Sequence, residues 1–244
     1  MTIYQDIQKA RFNGEKLFAV LIDPDKFTIA NTAAFIQKVN TSITTHIFVG
    51  GSTVDESSTE RLVLEIKKHT ILPVILFPGN VSQITNAADG LLFLSLLSGR
   101  NPEYLIGKHV EAVSKLRGSN LEVIPTGYVL IDGGIKTAVS KVTKTDAILN
   151  ESVQTIIDTT KAGELLGMKL MYLEAGSGAK HAVSAEVIQK VKNELNIPLI
   201  VGGGIKSLSQ LEKAYHSGAD MVVVGTAFEE DENFFKELRR KVSC

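Results

Sequence analysis

The sequence predicts a single domain over residues 1–244, folded as an α/β (β/α)8 barrel of the TIM type. Eight short runs rich in Val, Ile, Leu and Phe recur along the chain, helical spacing fills the segments between them, and no Gly/Ser linker divides the 244 residues. Such runs are typical of strands buried on both faces of a parallel sheet, and barrels commonly reach this length as one domain. An open doubly wound sheet is the alternative, but no G-x-G-x-x-G motif follows the first run.

The eight predicted strands lie at 17–23, 45–51, 73–79, 90–98, 121–130, 169–177, 198–204 and 221–228. The stretch NVSQITNAAD, between the third and fourth runs, is short for a helix. We therefore expect a barrel modified by an abbreviated third helical unit.

Helical spacing is clearest in three of the connecting segments. Residues 184–195 repeat apolar side chains on one face behind Ser184, a good N-cap residue. In STERLVLEIKKH, we expect Leu62, Leu64 and Ile66 on the buried face. The helix in SLSQLEKAYHSGAD is predicted to end at Gly218, because glycine commonly follows the last helical turn.

Composition excludes several classes of function. With 26 basic and 27 acidic residues the net charge is -1, which argues against a dedicated nucleic-acid binder. The one cysteine, Cys244, cannot form an intrachain disulfide, and the N-terminal stretch lacks the apolar core of a secretory signal. A cytoplasmic protein is expected. Its longest apolar stretch, GLLFLSLLSG, is too short to span a bilayer, so membrane contact is expected to be transient at most.

Glycines close the last two predicted strands. Gly202, Gly203 and Gly204 end the seventh run, and Gly225 with Thr226 ends the eighth. In such barrels a phosphate site commonly lies in these two loops, where small residues let backbone N–H groups approach the anion. Glycines also make tight turns, but two clusters at the two expected strand ends favour a phosphate site.

A carboxylate ends the sixth run, in YLEAGSG (172–178). Burying Glu174 at the end of an apolar strand is costly without a partner. A phosphorylated alcohol with its phosphate on the glycines could place a hydroxyl on Glu174, which would orient that group and take its proton. A structural carboxylate bonded to backbone N–H groups is the alternative.

A second carboxylate, Asp23, ends the first run in LIDPDK, and Ser52 follows the second run in VGGST. These oxygens, with waters and diphosphate oxygens, would suit Mg²⁺, which rarely takes an all-protein cage. An Asp before Pro is also a common turn or cap residue. The sequence offers no His/Cys cluster with zinc spacing and no persuasive nucleophile triad.

Six motifs together resemble a known enzyme family. LIDPDK, FVGGST, VIPTGY, YLEAGSG, VGGGIK and VVVGTAF occur in the order and spacing of geranylgeranylglyceryl phosphate synthase and its bacterial heptaprenylglyceryl phosphate synthase relatives. The resemblance implies a modified (β/α)8 barrel and a prenyltransferase. It would join the 3-hydroxyl of sn-glycerol 1-phosphate to a polyprenyl diphosphate, with geranylgeranyl diphosphate as the expected donor. The implied reaction forms an ether lipid precursor for phospholipid biosynthesis, releases diphosphate and requires Mg²⁺.

The resemblance also assigns roles to residues. Glu174 matches the glutamate at the reacting hydroxyl, and the family's magnesium positions fall on Asp23 and Ser52. The glycerol phosphate positions fall on Tyr172, Leu173, Glu174, Ala175, Gly176, Ser177, Gly178, Gly203, Gly204, Gly225 and Thr226. Thr226 departs from the family, which usually has Asn there. Barrels of this type commonly self-associate, so a homo-oligomer is expected.

The prenyl chain would need a long apolar groove. Candidate contributors are Leu92, Phe93, Leu94, Leu96, Leu97 and Tyr104. Residues of this kind more often form core, so they are not assigned to the site.

Two other functions stay open. A sugar-phosphate isomerase of the histidine-biosynthesis barrel type would use paired aspartates, here Asp23 and Asp132, but the first half of the chain has no convincing copy of GGGIK. A non-catalytic phosphate-binding barrel is the third reading, and it leaves Glu174 and Asp23 without a role.

Overall fold

The strands of the chain form a closed parallel barrel. The computed structural model of the protein describes residues 2–51, 56–225 and 236–238. The strands are β1 (Leu17–Ile22), β2 (His46–Val49), β3 (Val74–Leu76), β4 (Gly90–Leu96), β5 (Glu122–Leu130), β6 (Leu170–Glu174), β7 (Leu199–Gly202) and β8 (Met221–Val224). Each pairs in parallel with the next, and β8 closes on β1. The predicted (β/α)8 barrel is confirmed, and every strand lies within its predicted run.

Helices surround the barrel. They are α1 (Ile3–Phe12), α2 (Thr32–Asn40), α3 (Glu56–Lys67), α4 (Lys108–Leu116), α5 (Ala138–Thr143), α6 (Val153–Leu165), α7 (Ala185–Glu194) and α8 (Leu208–His216). Between β3 and β4 the chain makes only a 3₁₀ turn at Val81–Gln83, so the third unit is abbreviated as predicted. In the described ranges, no helix has both the length and the apolar character that crossing a membrane would require.

The helix predictions hold except at Leu64. The Ser184 hydroxyl accepts the Val187 N–H at 3.2 Å and caps α7, and Gly218 follows the end of α8 with φ +115°. Leu62 and Ile66 are buried, whereas Leu64 is 52% exposed, so its predicted burial was wrong. At about 100° per residue, a side chain two positions along a helix points to nearly the opposite side.

Alternating side chains on each strand separate two apolar layers. On β1, Phe18, Val20 and Ile22 pack outward against the helices, while Leu17 and Ala19 face the barrel interior. This is the two-residue period of a strand buried on both faces.

Helix α1 closes the amino-terminal end of the barrel. Its Ile7 and Ala10 join the interior cluster, and Glu122, the first residue of β5, accepts the Tyr4 N–H at 2.9 Å and the Ile3 N–H. A carboxylate at a helix N-terminus pairs with the otherwise unbonded N–H groups there. The carboxyl-terminal end of the barrel, where the strands finish, is not covered by α1.

Candidate active site

A cavity of about 810 Å³ opens where the strands end. Side chains and loops that follow β1, β2, β3, β6, β7 and β8 line it, and residues of β4 form an apolar wall. Carboxyl ends of barrel strands are where ligands bind in such folds. The cavity brings most of the site residues predicted from the sequence into one space.

Glu174 lies in this cavity at the end of β6. Glu174 lies on the same face of β6 as Leu170 and Tyr172, which point into the barrel interior. The side chain is buried, and Oε1 accepts the Gly176 N–H at 2.6 Å. Burial raises the pKa of the Glu174 carboxyl to about 7, and the Gly176 N–H and the Tyr172 hydroxyl partly oppose that rise. A carboxyl with this pKa can accept a proton near neutral pH.

The Tyr172 hydroxyl is buried beside this carboxylate without reaching hydrogen-bond geometry. A Cβ built on Gly202 would overlap that hydroxyl and would lie 2.8 Å from Glu174 Oε2. Because Gly202 on β7 has no side chain, there is room for both the hydroxyl and the carboxylate. Among the described residues this buried hydroxyl completes no hydrogen bond, and Tyr172 lines the cavity.

Glycine loops surround the carboxylate. Gly176, Gly178, Gly203 and Gly204 all line the cavity with φ between +72° and +100°, a region that other residues rarely adopt. A Cβ at Gly203 would overlap Glu174 Oε1 and lie 2.6 Å from the Gly176 nitrogen. These loops can present backbone N–H groups to an anion, as predicted for a phosphate site.

The other predicted acceptor-site positions separate into three groups. Ser177 and Gly225 line the cavity. The side chains of Leu173 and Ala175 pack instead in the layer between barrel and helices, because they alternate with Tyr172 and Glu174. Thr226 lies outside the described residues, and its role stays a prediction.

Asp23 lines the cavity beyond the end of β1. Its carboxylate accepts the Asp25 N–H at 3.1 Å and pairs with Lys26 Nζ at 3.0 Å. A Cβ on Gly51 would lie 2.9 Å from Asp23 Oδ1, so glycine there leaves space for the carboxylate. Ser52, its predicted partner, lies outside the described residues. Within residues 2–51, 56–225 and 236–238, no three His, Cys, Asp or Glu side chains gather as a metal-binding group.

Several cavity residues were missed from the sequence, among them three that pack against predicted site residues. Phe77 follows β3, Tyr128 lies on β5, and Thr137 packs where a Cβ on Gly176 would fall. The strand-end rule could have found Phe77, which closes the run PVILF. Tyr128 ends the motif VIPTGY, which was assigned no role in the site, and Thr137 lies in a loop with no periodic pattern.

The apolar wall agrees with most of the suggested groove residues. Leu92, Phe93, Leu94, Leu96 and Tyr104 line the cavity. Leu97 does not, since it packs in the outer layer. Lys108 and His109, at the start of α4, complete this side, and His109 Nε2 lies 3.0 Å from the Ser95 hydroxyl.

Asp132, the second aspartate of the isomerase alternative, does not join the site. Its side chain is exposed, and Oδ1 accepts the Gly134 N–H at 2.9 Å. It is absent from the cavity lining, whereas Asp23 is present. The paired-aspartate arrangement that such an isomerase needs is therefore not formed.

Comparison with known proteins identifies the family. The sequence profile of the PcrB family matches residues 6–242. The chain belongs to the PcrB family. The resemblance drawn from the motifs is also confirmed, because relatives of this chain carry the name geranylgeranylglyceryl phosphate synthase.

Two such relatives come from Flavobacterium johnsoniae and Zunongwangia profunda. The first is 53% identical over 96% of this chain and 96% of its own, and the second is 56% identical over 94% and 98%. The crystal structure of (S)-3-O-geranylgeranylglyceryl phosphate synthase from Thermoplasma acidophilum, in complex with substrate sn-glycerol-1-phosphate, superposes with a TM-score of 0.91. It shares 35% identity over 98% of this chain and 96% of that one. The tryptophan synthase α-subunit of Pyrococcus furiosus, at 14% identity and a TM-score of 0.56, shares the barrel fold.

Proposed function

We propose that this protein joins the 3-hydroxyl of sn-glycerol 1-phosphate to a polyprenyl diphosphate, with geranylgeranyl diphosphate as the donor. The reaction forms an ether bond and releases diphosphate. The observation that carries the proposal is one cavity holding a buried carboxylate, Glu174, among glycine loops, with Asp23 and an apolar wall in the same space. The relative from Thermoplasma acidophilum, solved with sn-glycerol-1-phosphate as its substrate, supports the choice of acceptor.

The acceptor would bind on the side of β6 and β7. Its phosphate would accept hydrogen bonds from backbone N–H groups in the loops at Gly176–Gly178, Gly203–Gly204 and Gly225. Thr226, which the sequence predicts as a further phosphate residue, would complete this site. Lys206 lines the same cavity and adds positive charge there. The acceptor hydroxyl would then lie at Glu174, whose pKa of about 7 suits it to take a proton.

The donor diphosphate would bind on the side of β1 and β2. Asp23 and, from the sequence, Ser52 would hold Mg²⁺, and this donor set fits the ion because Mg²⁺ usually takes one or two carboxylates together with phosphate oxygens. When bound, Mg²⁺ would neutralise the diphosphate and improve it as a leaving group. Lys26, 3.0 Å from Asp23 Oδ2, places a further positive charge at this end.

The bond changes follow from this arrangement. The allylic C1–O bond of the donor breaks, and its electron pair leaves with the diphosphate. The acceptor oxygen forms the new C–O bond to C1, and its proton passes to Glu174. Holding both reactants in one cavity replaces a slow encounter in water by an oriented reaction. The prenyl chain would extend along the wall of Leu92, Leu94 and Leu96.

The cellular setting is proposed from composition and surface. One cysteine in 244 residues is typical of a reducing compartment such as the cytoplasm. Exposed apolar side chains at Ile106, Val110 and Val113 favour self-association, since monomers seldom leave neighbouring apolar residues uncovered. Membrane contact would be transient, for collecting the donor and delivering the lipid product. Light scattering coupled to size exclusion would measure the oligomeric state.

The test is product formation from radiolabelled sn-glycerol 1-phosphate. A series of prenyl diphosphates would be offered with and without Mg²⁺, and butanol-extractable label would be counted. A Mg²⁺-dependent lipid product is expected, and the preferred donor gives the chain length. Binding of glycerol phosphate without product from any donor would overturn the proposed reaction and leave only the phosphate site.

A further inference from the structure

Three aromatic rings meet in the cavity beside Glu174. Phe77 follows β3, Tyr128 lies on β5 and Tyr172 on β6, and all three line the cavity. Ring centroids are 5.9 Å apart for Phe77 and Tyr128, 5.4 Å for Phe77 and Tyr172, and 5.4 Å for Tyr128 and Tyr172. The three rings thus form one triangle at the cavity.

The triangle extends from one carboxylate towards the other. Tyr172 is two residues from Glu174 on the same face of β6. Phe77 lies against β2, where a Cβ on Gly50 would overlap its carbonyl oxygen, and the next residue, Gly51, adjoins the Asp23 carboxylate. In the proposed reaction the transferred carbon must lie between an acceptor at Glu174 and a diphosphate at Asp23. Because Phe77, Tyr128 and Tyr172 line the cavity that holds both carboxylates, we expect that position to adjoin the rings.

The chemistry at this position develops positive charge. As the allylic C1–O bond breaks, the electron pair leaves with diphosphate, and the charge spreads over C1 and C3 of the prenyl group. Aromatic faces attract cations, and more strongly where water is excluded. Burial, and next the charge of Glu174, raise the pKa of both Tyr128 and Tyr172 well above the usual value, so these rings stay neutral phenols.

We propose that Phe77, Tyr128 and Tyr172 form an aromatic cage that stabilises the allylic cation and keeps water from it. This inference rests on the proposed function. The cage acts on charge that exists only as the bond breaks, so its loss would slow the chemical step without weakening acceptor binding. Phe77 gives the sharpest test, because its ring carries no hydroxyl that could act in another way.

The experiment replaces Phe77 by phenylalanines carrying one, two and three ring fluorines. Fluorine withdraws electrons from the ring face and barely changes its size. A donor with a trifluoromethyl group in place of the C3 methyl makes bond cleavage the slow step, and product formation is followed in single turnovers. The rate is expected to fall stepwise, by about tenfold at the trifluoro ring. The affinity for sn-glycerol 1-phosphate, measured by titration calorimetry, should stay constant.

Phe48 supplies the matched control. Its ring packs parallel to Phe77 with centroids 6.4 Å apart, is fully buried and does not line the cavity. The same fluorine series there should leave the rate unchanged. A rate that does not change across the fluorine series at Phe77, or that falls equally at Phe48, would overturn the cage. The proposed function would still stand in that case, provided that the wild-type protein forms product. Absence of product from the wild-type protein with every donor would instead refute the proposed function.

Discussion

Glu174 shows how a single side chain can combine structural cost with reactivity. Burying a carboxylate disfavours its charged form, and among the described residues a single backbone N–H, from Gly176, is bonded to it at 2.6 Å. The result is a pKa of about 7 in place of 4.5. A base is most effective when its pKa lies near the working pH, so the same burial that weakens the fold prepares the residue for proton transfer.

This shift predicts a pH-dependent stability difference. The pKa of Glu174 is higher in the folded protein than in the unfolded chain. Protonation of Glu174 therefore stabilises the fold fully below about pH 4.5, and this stabilisation is lost as the pH rises through about 7. Relative to Glu174→Gln, the wild type should lose about 3 kcal/mol of unfolding free energy across that window. Urea unfolding of both proteins at several pH values measures it. A difference that does not vary with pH would mean that the carboxyl titrates normally.

Substitutions at two glycines can separate the effect of backbone strain from the effect of lost ligand binding. Gly203→Ala puts a Cβ against Glu174 Oε1 and the Gly176 nitrogen at φ +80°. Gly14→Ala is the matched control, with φ +73° and nothing within 4 Å of the new atom. Gly14→Ala should lose about 1 kcal/mol of stability through its φ alone, and Gly203→Ala should lose more, because its Cβ also meets backbone atoms closer than 3.0 Å. Only Gly203→Ala should lose affinity for sn-glycerol 1-phosphate, by about 100-fold or more, in calorimetric titration. Similar affinity in both variants would remove Gly203 from the binding site.

At the scale of elements, the ends of the strands carry the polar groups. Alternation along β1 and β6 directs one set of side chains inward, and the first residues beyond each strand reach the cavity mouth. Glu174 and Asp23 belong to two such ends, whereas Asp132, beyond β5, turns out to solvent. The position of a carboxylate at a strand end therefore does not by itself make it part of the site.

This contrast gives a test of the proposed metal position. Asp23→Asn should raise the Mg²⁺ concentration for half-maximal activity and lower turnover at saturating Mg²⁺ by about 10- to 100-fold, because a charged ligand is lost. Asp132→Asn should match the wild type, since its side-chain oxygen can still accept the Gly134 N–H. Titration of activity with Mg²⁺ compares the two. An unchanged Mg²⁺ requirement in Asp23→Asn would exclude Asp23 as the ligand.

Helix α1 makes a separate contribution as the element that closes the barrel. Ile7 is 1% exposed in the interior cluster, while Phe12 on the same helix is 92% exposed. Ile7→Ala should cost about 3 kcal/mol of unfolding free energy through lost burial and a cavity, and Phe12→Ala should change it by less than about 0.5 kcal/mol. Thermal or urea unfolding distinguishes them. Equal effects would mean that α1 is held by its polar contacts instead.

For the molecule as a whole, the barrel was predictable because its strands are buried on both faces. That burial makes them continuous apolar runs, and the glycine and acidic residues that end them are visible against the apolar background. Leu64 was misplaced because a mixed run such as RLVLEI does not fix the helix face. Leu173 was assigned to a ligand position by its motif, and Leu97 was only a candidate for the groove, but both pack in the outer layer.

The arrangement of the aromatic residues could not be recognised in the same way. Tyr172 was assigned to the site through the YLEAGSG motif, but Tyr128 lies within an apolar run, where a ring in the core and a ring facing a cavity have the same sequence pattern. Only the closed barrel brings β3, β5 and β6 close enough for their rings to lie within 6 Å of one another. Contacts between residues 44 to 95 positions apart in sequence are set by topology, which periodicity does not report.

The most direct test of prenyl transfer at this cavity is the turnover of Glu174→Gln in the radiolabelled assay. Turnover should fall by about 10²- to 10⁴-fold, because glutamine cannot take the acceptor proton, while glycerol phosphate binding persists and the thermal midpoint does not fall. Glu186→Gln, an exposed change on α7 that loses only an ion pair with Lys190, should keep wild-type turnover. Wild-type turnover in Glu174→Gln would contradict a role for this carboxylate and move the chemistry elsewhere in the barrel.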